Sequence, residues 1–312
     1  MSSLASKRVF GLEEGPPNTR SLDFRKSTGG MEEVMRDLAP APLVNAIEAN
    51  GAQFLIALGR AGGAEERDDE RVQWTIGGSP IDYHNSVVRA DLTEASADDV
   101  IVASRERMRA HGVPGTWHVG PSMRPADLPD RLVRHGFTSG GHDIGMAVDL
   151  LALPDLVPAP RGLTAIRVRD DAGLALWTAT LGRGFGEGER EASWVGAMYA
   201  RIGLDNRSWR HYLATLHGEP VGTTSLFLGA GVAGIYFVFT IPEARRQGIG
   251  AAITLAALHD ARALGFRVGV LGSSPMGYSV YGRLGFRELC RIGIYEWQPP
   301  NSPATATQLS TA

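Results

Sequence analysis

The stretch from Gly234 to Gly250 constrains the fold more than any other part of this chain. An apolar run with strand character, Gly234–Thr240, is interrupted by Pro242, and the chain then passes through Gly248-Ile-Gly250 into a helix. Glycine lets a backbone approach a ligand closely, and the free N–H groups and dipole of a helix N-terminus favour an anion. The pattern predicts a strand, a turn that binds a pyrophosphate, and a helix.

Two familiar nucleotide-binding loops do not fit this turn. A dinucleotide loop, Gly-x-Gly-x-x-Gly, needs glycine where Ile253 stands, and a Walker loop needs Gly-Lys-Ser/Thr, which is missing here. An ordinary tight turn without a ligand remains as the simpler alternative to an anion site.

A second block lies about 30 residues downstream. An apolar strand over 266–271 and a turn over 272–275 precede Tyr281, which is followed by Gly285-Phe286. The first block is similar to the pattern Arg/Gln-x-x-Gly-x-Gly/Ala through Arg245, Gly248 and Gly250, and the second to Tyr-x-x-x-Gly-Phe. In this order and spacing, the two blocks resemble motif A and the closing helix of the GNAT acyl-CoA N-acyltransferases.

This resemblance implies that acetyl-CoA is the cosubstrate. The residues that it assigns to coenzyme binding are Val238, Phe239, Thr240, Arg245, Arg246, Gln247, Gly248, Ile249, Gly250, Ala251 and Ser274. It implies that backbone N–H groups of 238–240 stabilise the oxyanion where the sheet splays, and that Ser274 touches the pantetheine arm. Tyr281 is the candidate catalytic acid beside the sulfur, and a purely packing role is the alternative for it.

The general base is less evident. The position of the fifth-strand glutamate that serves as base in several family members falls on Gly269. Other candidates are the carboxylates of the glycine-rich loop 182–191 and two histidines: Glu187, Glu189, Glu191, His211 and His217. A charged, glycine-rich loop is usually solvated surface, which is the alternative interpretation of the three glutamates.

The length of 312 residues favours two domains. Three prolines within 153–160 mark the boundary, which predicts a lobe over 31–152, a linker over 153–162 and a catalytic domain over 163–298. Residues 1–30 and the tail 299–312 lack periodicity and are expected to be disordered or flexible.

The N-terminal half repeats part of the C-terminal order. The segment from Arg131 to Phe137 echoes 281–286, but Leu132 or Val133 stands near the tyrosine position, and the helix over 98–111 opens with carboxylates instead of Gly-x-Gly. Carboxylates stabilise a helix start but repel a pyrophosphate. We expect a degenerate GNAT-like lobe without coenzyme, or alternatively an unrelated α/β lobe. The expected fold class is α/β (α+β), with a mixed, mostly antiparallel sheet flanked by helices.

Several function classes are disfavoured by composition. The net charge of -3 gives no electrostatic reason for nucleic-acid binding, and no apolar run or signal-peptide pattern indicates a membrane or export, so a cytoplasmic protein is expected. The single Cys290 excludes an internal disulfide. Scattered histidines and the loop pair Asp82/His84 do not have metal-site spacing, and no Gly-x-Ser-x-Gly elbow of a serine hydrolase occurs.

These observations predict an N-acetyltransferase that moves the acetyl group of acetyl-CoA by direct transfer to a primary amine on a small molecule or peptide. A non-catalytic acyl-CoA sensor or scaffold is the alternative, supported by the missing fifth-strand base. A third hypothesis makes the N-terminal lobe a docking domain for a partner. The expected state is a monomer or homodimer.

Overall fold

The described part of the N-terminal half contributes three α-helices and five strands. The structure is a computed structural model that describes residues 33–300. In chain order the elements of this half are α1 Pro40–Ala61, β1 Glu65–Asp68, β2 Val72–Ile76, β3 Ser86–Ala90, α2 Glu94–His111, β4 Gly115–Val119, α3 Leu128–Arg134 and β5 Thr138–Asp149. The predicted loose end 1–30 lies outside the described residues, as does the predicted tail beyond residue 300.

Up to residue 300, the C-terminal half contributes four α-helices and six strands. They are β6 Leu163–Arg167, α4 Asp171–Gly182, α5 Glu189–Ile202, β7 Trp209–Leu216, β8 Glu219–Gly229, β9 Val232–Thr240, α6 Ile249–Ala263, β10 Val268–Ser273, α7 Pro275–Arg283 and β11 Arg287–Trp297. The sequence predicted β9, the helix α6 that follows it and β10, with bounds that differ by a few residues. The long helix α1 was not predicted.

All eleven strands join one sheet, in the order β1-β2-β3-β4-β11-β5-β10-β9-β8-β7-β6. Only β3 with β4 and β9 with β10 run parallel among the pairs of this sheet. The prediction of a mixed, mostly antiparallel sheet flanked by helices is confirmed.

The two halves exchange their last strands. Each half ends with a strand, a helix and a closing strand, namely β4-α3-β5 and β10-α7-β11. The closing strand β5 pairs with β10 of the other half, whereas β11 lies between β4 and β5. Neither half therefore completes its own sheet. The chain crosses between the halves within the predicted linker 153–162, and the independence of the two domains stays a prediction.

Helix α1 belongs to the N-terminal half by sequence but packs against the strands of both halves. Its Phe54 ring stacks on Tyr236 of β9 with centroids 3.6 Å apart, and it also contacts Trp209 at 5.2 Å. Asn50, fully buried on the same helix, accepts a hydrogen bond from the Tyr236 hydroxyl at 2.7 Å. Burial of these aromatic rings makes α1 part of the C-terminal core.

Strand β9 separates from β10 partway along its length. The two strands pair only where Ala233 and Gly234 face Gly269 and Val270. Further along β9, two residues oppose one residue of β8, and Phe237 has a left-handed φ of 50°. Such a bulge bends a strand and ends its pairing. The splay that the sequence predicted at this point is present, and it opens a cleft between β9 and β10.

Candidate active site

The turn from β9 into α6 leaves backbone donors free at a helix N-terminus. Gly248 is the N-cap, and no side chain caps the helix. Within the described chain, the N–H groups of Ile249, Gly250 and Ala251 have no protein acceptor, and the first bond into the turn runs from Ala252 to the Gly248 carbonyl at 3.0 Å. No acidic residue occupies the first turn. These features suit the diphosphate of a coenzyme.

The side chains around this turn are open to solvent. Arg245, Arg246 and Gln247 are exposed, and Arg245 is held over the Phe239 ring, with 5.7 Å between its guanidinium and the ring centroid. Arg246 takes a left-handed φ of 61°. The two guanidinium groups supply positive charge next to the free N–H groups, which favours an anion in the same place.

Glycine is needed at the two positions of the turn for different structural reasons. A Cβ on Gly250 would meet only Thr240 and Val238, at 3.6 and 3.9 Å, so the space beside it is open for a ligand. Gly248 has a φ of 84°, and a Cβ there would strike the carbonyl oxygen of Pro158 in the linker. Glycine at 248 is thus required by the protein itself, a constraint that the sequence did not reveal.

A cavity of about 790 Å³ lies in the cleft between the splayed strands. Val238 of β9, Ser274 at the end of β10 and Tyr281 of α7 all line it, so the structure brings together residues from both sequence blocks. The neighbouring Phe239 is buried and does not line the cavity. The Phe239 side chain is therefore not part of the cavity wall.

Tyr281 is almost buried, with 9% of its surface exposed. Its ring packs edge-on against Phe286 at 5.8 Å, and its hydroxyl has no hydrogen-bond partner among the described residues. Burial raises the pKa of Tyr281 to about 12. The hydroxyl is therefore protonated at neutral pH and can donate a proton or a hydrogen bond in the cavity.

Ser274 has a structural task besides lining the cavity. Its side chain caps α7 by accepting a hydrogen bond from the Gly277 N–H at 3.3 Å, and Pro275 follows at the first helical position. Serine followed by proline is a typical helix start, so this cap could have been found in the sequence.

Among the three candidate glutamates, the structure separates Glu191 from the others. Glu191 is fully buried and lines the cavity together with Glu187, whereas Glu189 is exposed and lies outside it. The Glu187 N–H donates to Glu191 Oε2 at 3.0 Å, and Oε1 has no partner among the described residues. Burial, with a smaller contribution from the charge of Asp82, raises the pKa of Glu191 to about 7. A carboxylate with that pKa is suited to general base catalysis.

The position of Glu191 depends on the glycine loop that precedes it. Gly186 has a φ of 50°, and a Cβ on it would collide with the Glu191 carboxylate. Helix α5 is in turn fastened to the N-terminal half, because Trp194 Nε1 donates to the Gly78 carbonyl at 3.0 Å and Arg190 to the Pro80 carbonyl at 2.9 Å. The loop is therefore a built part of the cavity wall.

The other candidate bases are not in the cavity. His211 is buried between the Tyr199 ring, 3.7 Å away, and the Ser225 hydroxyl, and His217 occupies the turn between β7 and β8. A Cβ on Gly269 would point at Leu150, Leu258 and Val148, each 3.0 Å away. A side chain at 269 would thus enter the core, so the missing glutamate does not argue against catalysis.

Within residues 33–300, no group of three His, Cys, Asp or Glu side chains could hold a metal ion. Cys290 is buried in β11, and burial raises the pKa of its thiol to about 11. In the same range, no helix combines the length and the apolar character needed to cross a bilayer.

Four further cavity carboxylates were not identified as site residues from the sequence. Glu48, Asp82, Asp143 and Glu296 come from four different elements and line the same cavity. They are far apart in the chain, and no local pattern connects them. Only the exchanged strands and the position of α1 bring them together.

The C-terminal half, which contributes the turn before α6 and Tyr281, matches a known protein family. Residues 176–286 match the sequence model of the acetyltransferase (GNAT) family. The chain therefore contains a GNAT-family acetyltransferase domain, and membership of this family implies acyl transfer from an acyl-CoA.

Solved structures share the fold over most of the chain. A GCN5-related N-acetyltransferase from Kribbella flavida is 20% identical and covers 80% of this chain and 96% of its own, with a TM-score of 0.62. A GCN5-related N-acetyltransferase from Sphaerobacter thermophilus is 18% identical, with coverage of 86% and 97% and a TM-score of 0.53. A tandem GNAT protein from the clavulanic acid biosynthesis pathway is 18% identical, with coverage of 74% and 79% and a TM-score of 0.50. No curated protein is similar enough to match.

Proposed function

We propose that this protein is an acetyl-CoA-dependent N-acetyltransferase that acylates a primary amine by direct transfer. The observation that carries the proposal is the meeting of Tyr281 and Glu191 in one cavity next to a helix N-terminus with free donors. One residue is a protonated acid and the other a carboxylate that titrates near neutrality. Paired acid and base groups with separated pKa values are what amine acylation requires.

Coenzyme binding is assigned to the turn and the cleft. The N–H groups of 249–251 and the guanidinium groups of Arg245 and Arg246 hold the diphosphate, and the pantetheine arm passes Val238 and Ser274. Acetyl-CoA supplies an acetyl group activated as a thioester. Backbone N–H groups of 238–240 stabilise the negative charge that develops on the carbonyl oxygen.

Proton transfer is assigned to the two side chains. An alkylammonium acceptor has an unperturbed pKa near 10.4, so it must lose a proton before it can attack, and Glu191 accepts that proton. The amine nitrogen then bonds to the acetyl carbon and gives its second proton to solvent as the C–S bond breaks, with the electron pair leaving on sulfur. Glu191 also passes its proton to solvent. Tyr281 gives its proton to the sulfur and is reprotonated from solvent. The products are the amide, the free thiol and one released proton.

The test uses the full chain with acetyl-CoA and a panel of primary amines. Release of free thiol is followed with a thiol reagent, and the acetylated amine is identified by mass. Turnover that requires both acetyl-CoA and an amine supports the proposal. Tight acetyl-CoA binding with no turnover on any amine would leave the sensor or scaffold hypothesis instead.

A further inference from the structure

The wall of the cavity is strongly acidic. Six carboxylates line it: Glu48, Asp82, Asp143, Glu187, Glu191 and Glu296. Two histidines, His118 and His142, are its other titratable side chains apart from tyrosines, and no arginine or lysine is among the described residues that line it. Burial lowers the pKa of His118 to about 4, so this ring is neutral near pH 7. The cavity therefore attracts cations.

Two of the carboxylates have buried oxygens without a partner. Oε1 of the fully buried Glu191 and Oε2 of Glu48 make no hydrogen bond among the described residues. An unpaired buried carboxylate oxygen is costly, and a positively charged donor in the cavity would remove that cost. Glu187, in contrast, already pairs with Arg190 at 2.7 Å.

The acidic residues that line the cavity come from both halves of the chain. Glu191 belongs to α5 of the C-terminal half, Asp82 to the turn before β3, and Glu296 to the exchanged strand β11. The charge of Asp82 acts on both Glu191 and Glu296 and contributes to the raised pKa of each. All three carboxylates line the same cavity of about 790 Å³. Carboxylates that come from several elements around one cavity match a cation that carries more than one positive charge.

We propose that the acceptor is a small molecule with at least two protonated amines. Glu191 and Tyr281 receive the reacting amine, and Asp82 and Glu296 hold a second one. This assignment rests on the proposed N-acetyltransferase activity and narrows its substrate class. A linear polyamine and an aminocyclitol or amino sugar share this chemistry, and the experiment distinguishes them.

Binding to the full chain without coenzyme is the first measurement, by calorimetry at pH 7.5. The probes are spermidine as the linear polyamine, 2-deoxystreptamine as the cyclic diamine, and n-butylamine as the monoamine. At least one of spermidine and 2-deoxystreptamine is expected to bind about 10-fold or more tightly than butylamine, as an extra charge pair in a partly buried site provides. The tighter of the two identifies the source class. Equal affinity for all three probes would overturn the proposal.

The double variant Asp82→Asn/Glu296→Gln locates the second amine. It should lose about 10-fold or more in diamine affinity while butylamine affinity changes less than 2-fold. Glu189→Gln, on the same helix as Glu191 but outside the cavity, is the matched control and should bind like wild type. Unchanged acetyl-CoA affinity and melting temperature show that the double variant is folded. Full diamine affinity in the folded double variant contradicts the proposal.

Turnover separates the two hypotheses. If kcat/KM for butylamine equals that for the other two amines, the acetyltransferase hypothesis is kept and the hypothesis of an acceptor with two amines is rejected. Selective diamine binding without transfer from acetyl-CoA would remove the acetyltransferase and keep a diamine-binding cavity.

Discussion

The two halves of this molecule contain the same strand-to-helix turn in two different states. In the C-terminal half, α6 follows β9 with free N–H groups and no acidic residue in its first turn. In the N-terminal half, α2 follows β3 with Thr93 as N-cap, a reciprocal capping box with Ser96, and Glu94 in the first turn. One helix start satisfies its own donors, while the other leaves them for a ligand.

The gap beside the strand differs in the same way. Strands β3 and β4 also run parallel for two residue pairs and then separate. Here the backbone of Arg124 fills the gap, donating to the Ala90 carbonyl at 3.0 Å and accepting from the Leu92 N–H at 3.2 Å. No segment of the described chain fills the gap between β9 and β10, which opens into the cavity. Helix α2 and the gap beside β3 therefore pair their donors within the protein, whereas the turn before α6 and the gap beside β9 leave donors free among the described residues.

Separating the two halves is expected to have the most severe consequence for the structure. Residues 163–298 alone lack β5, the partner of β10, and α1, which covers Tyr236 and Trp209. We expect this fragment to be unfolded or aggregated, because an open strand edge and aromatic surface are exposed. Circular dichroism and size-exclusion chromatography measure the outcome.

A protease site inserted after the exposed Leu156 is the control for that fragment. Cleavage there leaves every strand in place, so the nicked protein should stay associated and folded. A monomeric, folded and active fragment 163–298 would show that the exchanged strands are dispensable.

Replacement of Glu191 tests the part of the cavity wall that α5 contributes. Glu191→Gln keeps the shape and the acceptor for the Glu187 N–H but cannot take a proton, so kcat should fall roughly 100-fold or more. The base works when ionised, so kcat/KM of the wild type rises as pH increases through about 7, the pKa of Glu191. The variant should lose this limb of the pH profile. An unchanged limb would assign it to another group.

Tyr281 stands in α7 where the buried Leu132 stands in α3 of the other half. Tyr281→Phe removes only the hydroxyl, which has no partner in the described chain, so folding is expected to be unaffected. We expect kcat to fall roughly 10- to 100-fold with acetyl-CoA affinity within 2-fold, since the leaving thiolate loses its proton donor. Steady-state kinetics and calorimetry check both values. Equal turnover would limit Tyr281 to packing.

One substitution can give the first turn of α6 the same negative charge that the first turn of α2 carries. Ala251→Glu puts a carboxylate into the first turn of α6, as Glu94 does in α2. Like-charge repulsion should weaken acetyl-CoA binding about 10-fold. Ala251→Gln has nearly the same size without the charge and should weaken binding much less. Equal losses in the two variants would point to steric exclusion.

The smallest expected effect concerns an ion pair that joins the halves. Arg267, just before β10, donates to both oxygens of Asp149 in β5 at 2.6 and 2.7 Å, which lowers the pKa of Asp149. The pair therefore stabilises the fold above about pH 4 and is lost as pH falls further. Asp149→Asn should reduce the free energy of unfolding by about 1 kcal/mol at pH 7. In urea titrations at pH 3 the difference should shrink, and an equal loss at both pH values would argue against charge pairing.

Local patterns predicted the elements of the C-terminal half well. Apolar runs and the turn residues that follow them predicted β9 and β10, and the free donors of the turn at Gly248 followed from glycine placement. These features depend on residues that are neighbours in the sequence. The cap formed by Ser274 also depends on neighbouring residues, because the proline that follows it marks a helix N-terminus in the sequence.

The remaining features depend on distant contacts. Nothing near β5 indicates that its neighbour is β10, more than a hundred residues away in the chain, and α1 has no feature that predicts its place across both halves. Glu189 and Glu191 both belong to α5, and the packing of this helix against distant parts of the chain determines which of its faces is buried. The acidic cavity was therefore not predictable as a unit.

The exchange of closing strands also governs how the chain is made. During synthesis, the edge of β4 waits for its neighbour until residues 287–297 have left the ribosome. A chain that lacks residues 287–297 has no strand between β4 and β5, and Glu296 is missing from its cavity. Because domains generally fold as they emerge, this arrangement postpones completion of the first half until residues 287–297 have been made. Chains that lack these residues expose the edges of β4 and β5, and open strand edges favour aggregation.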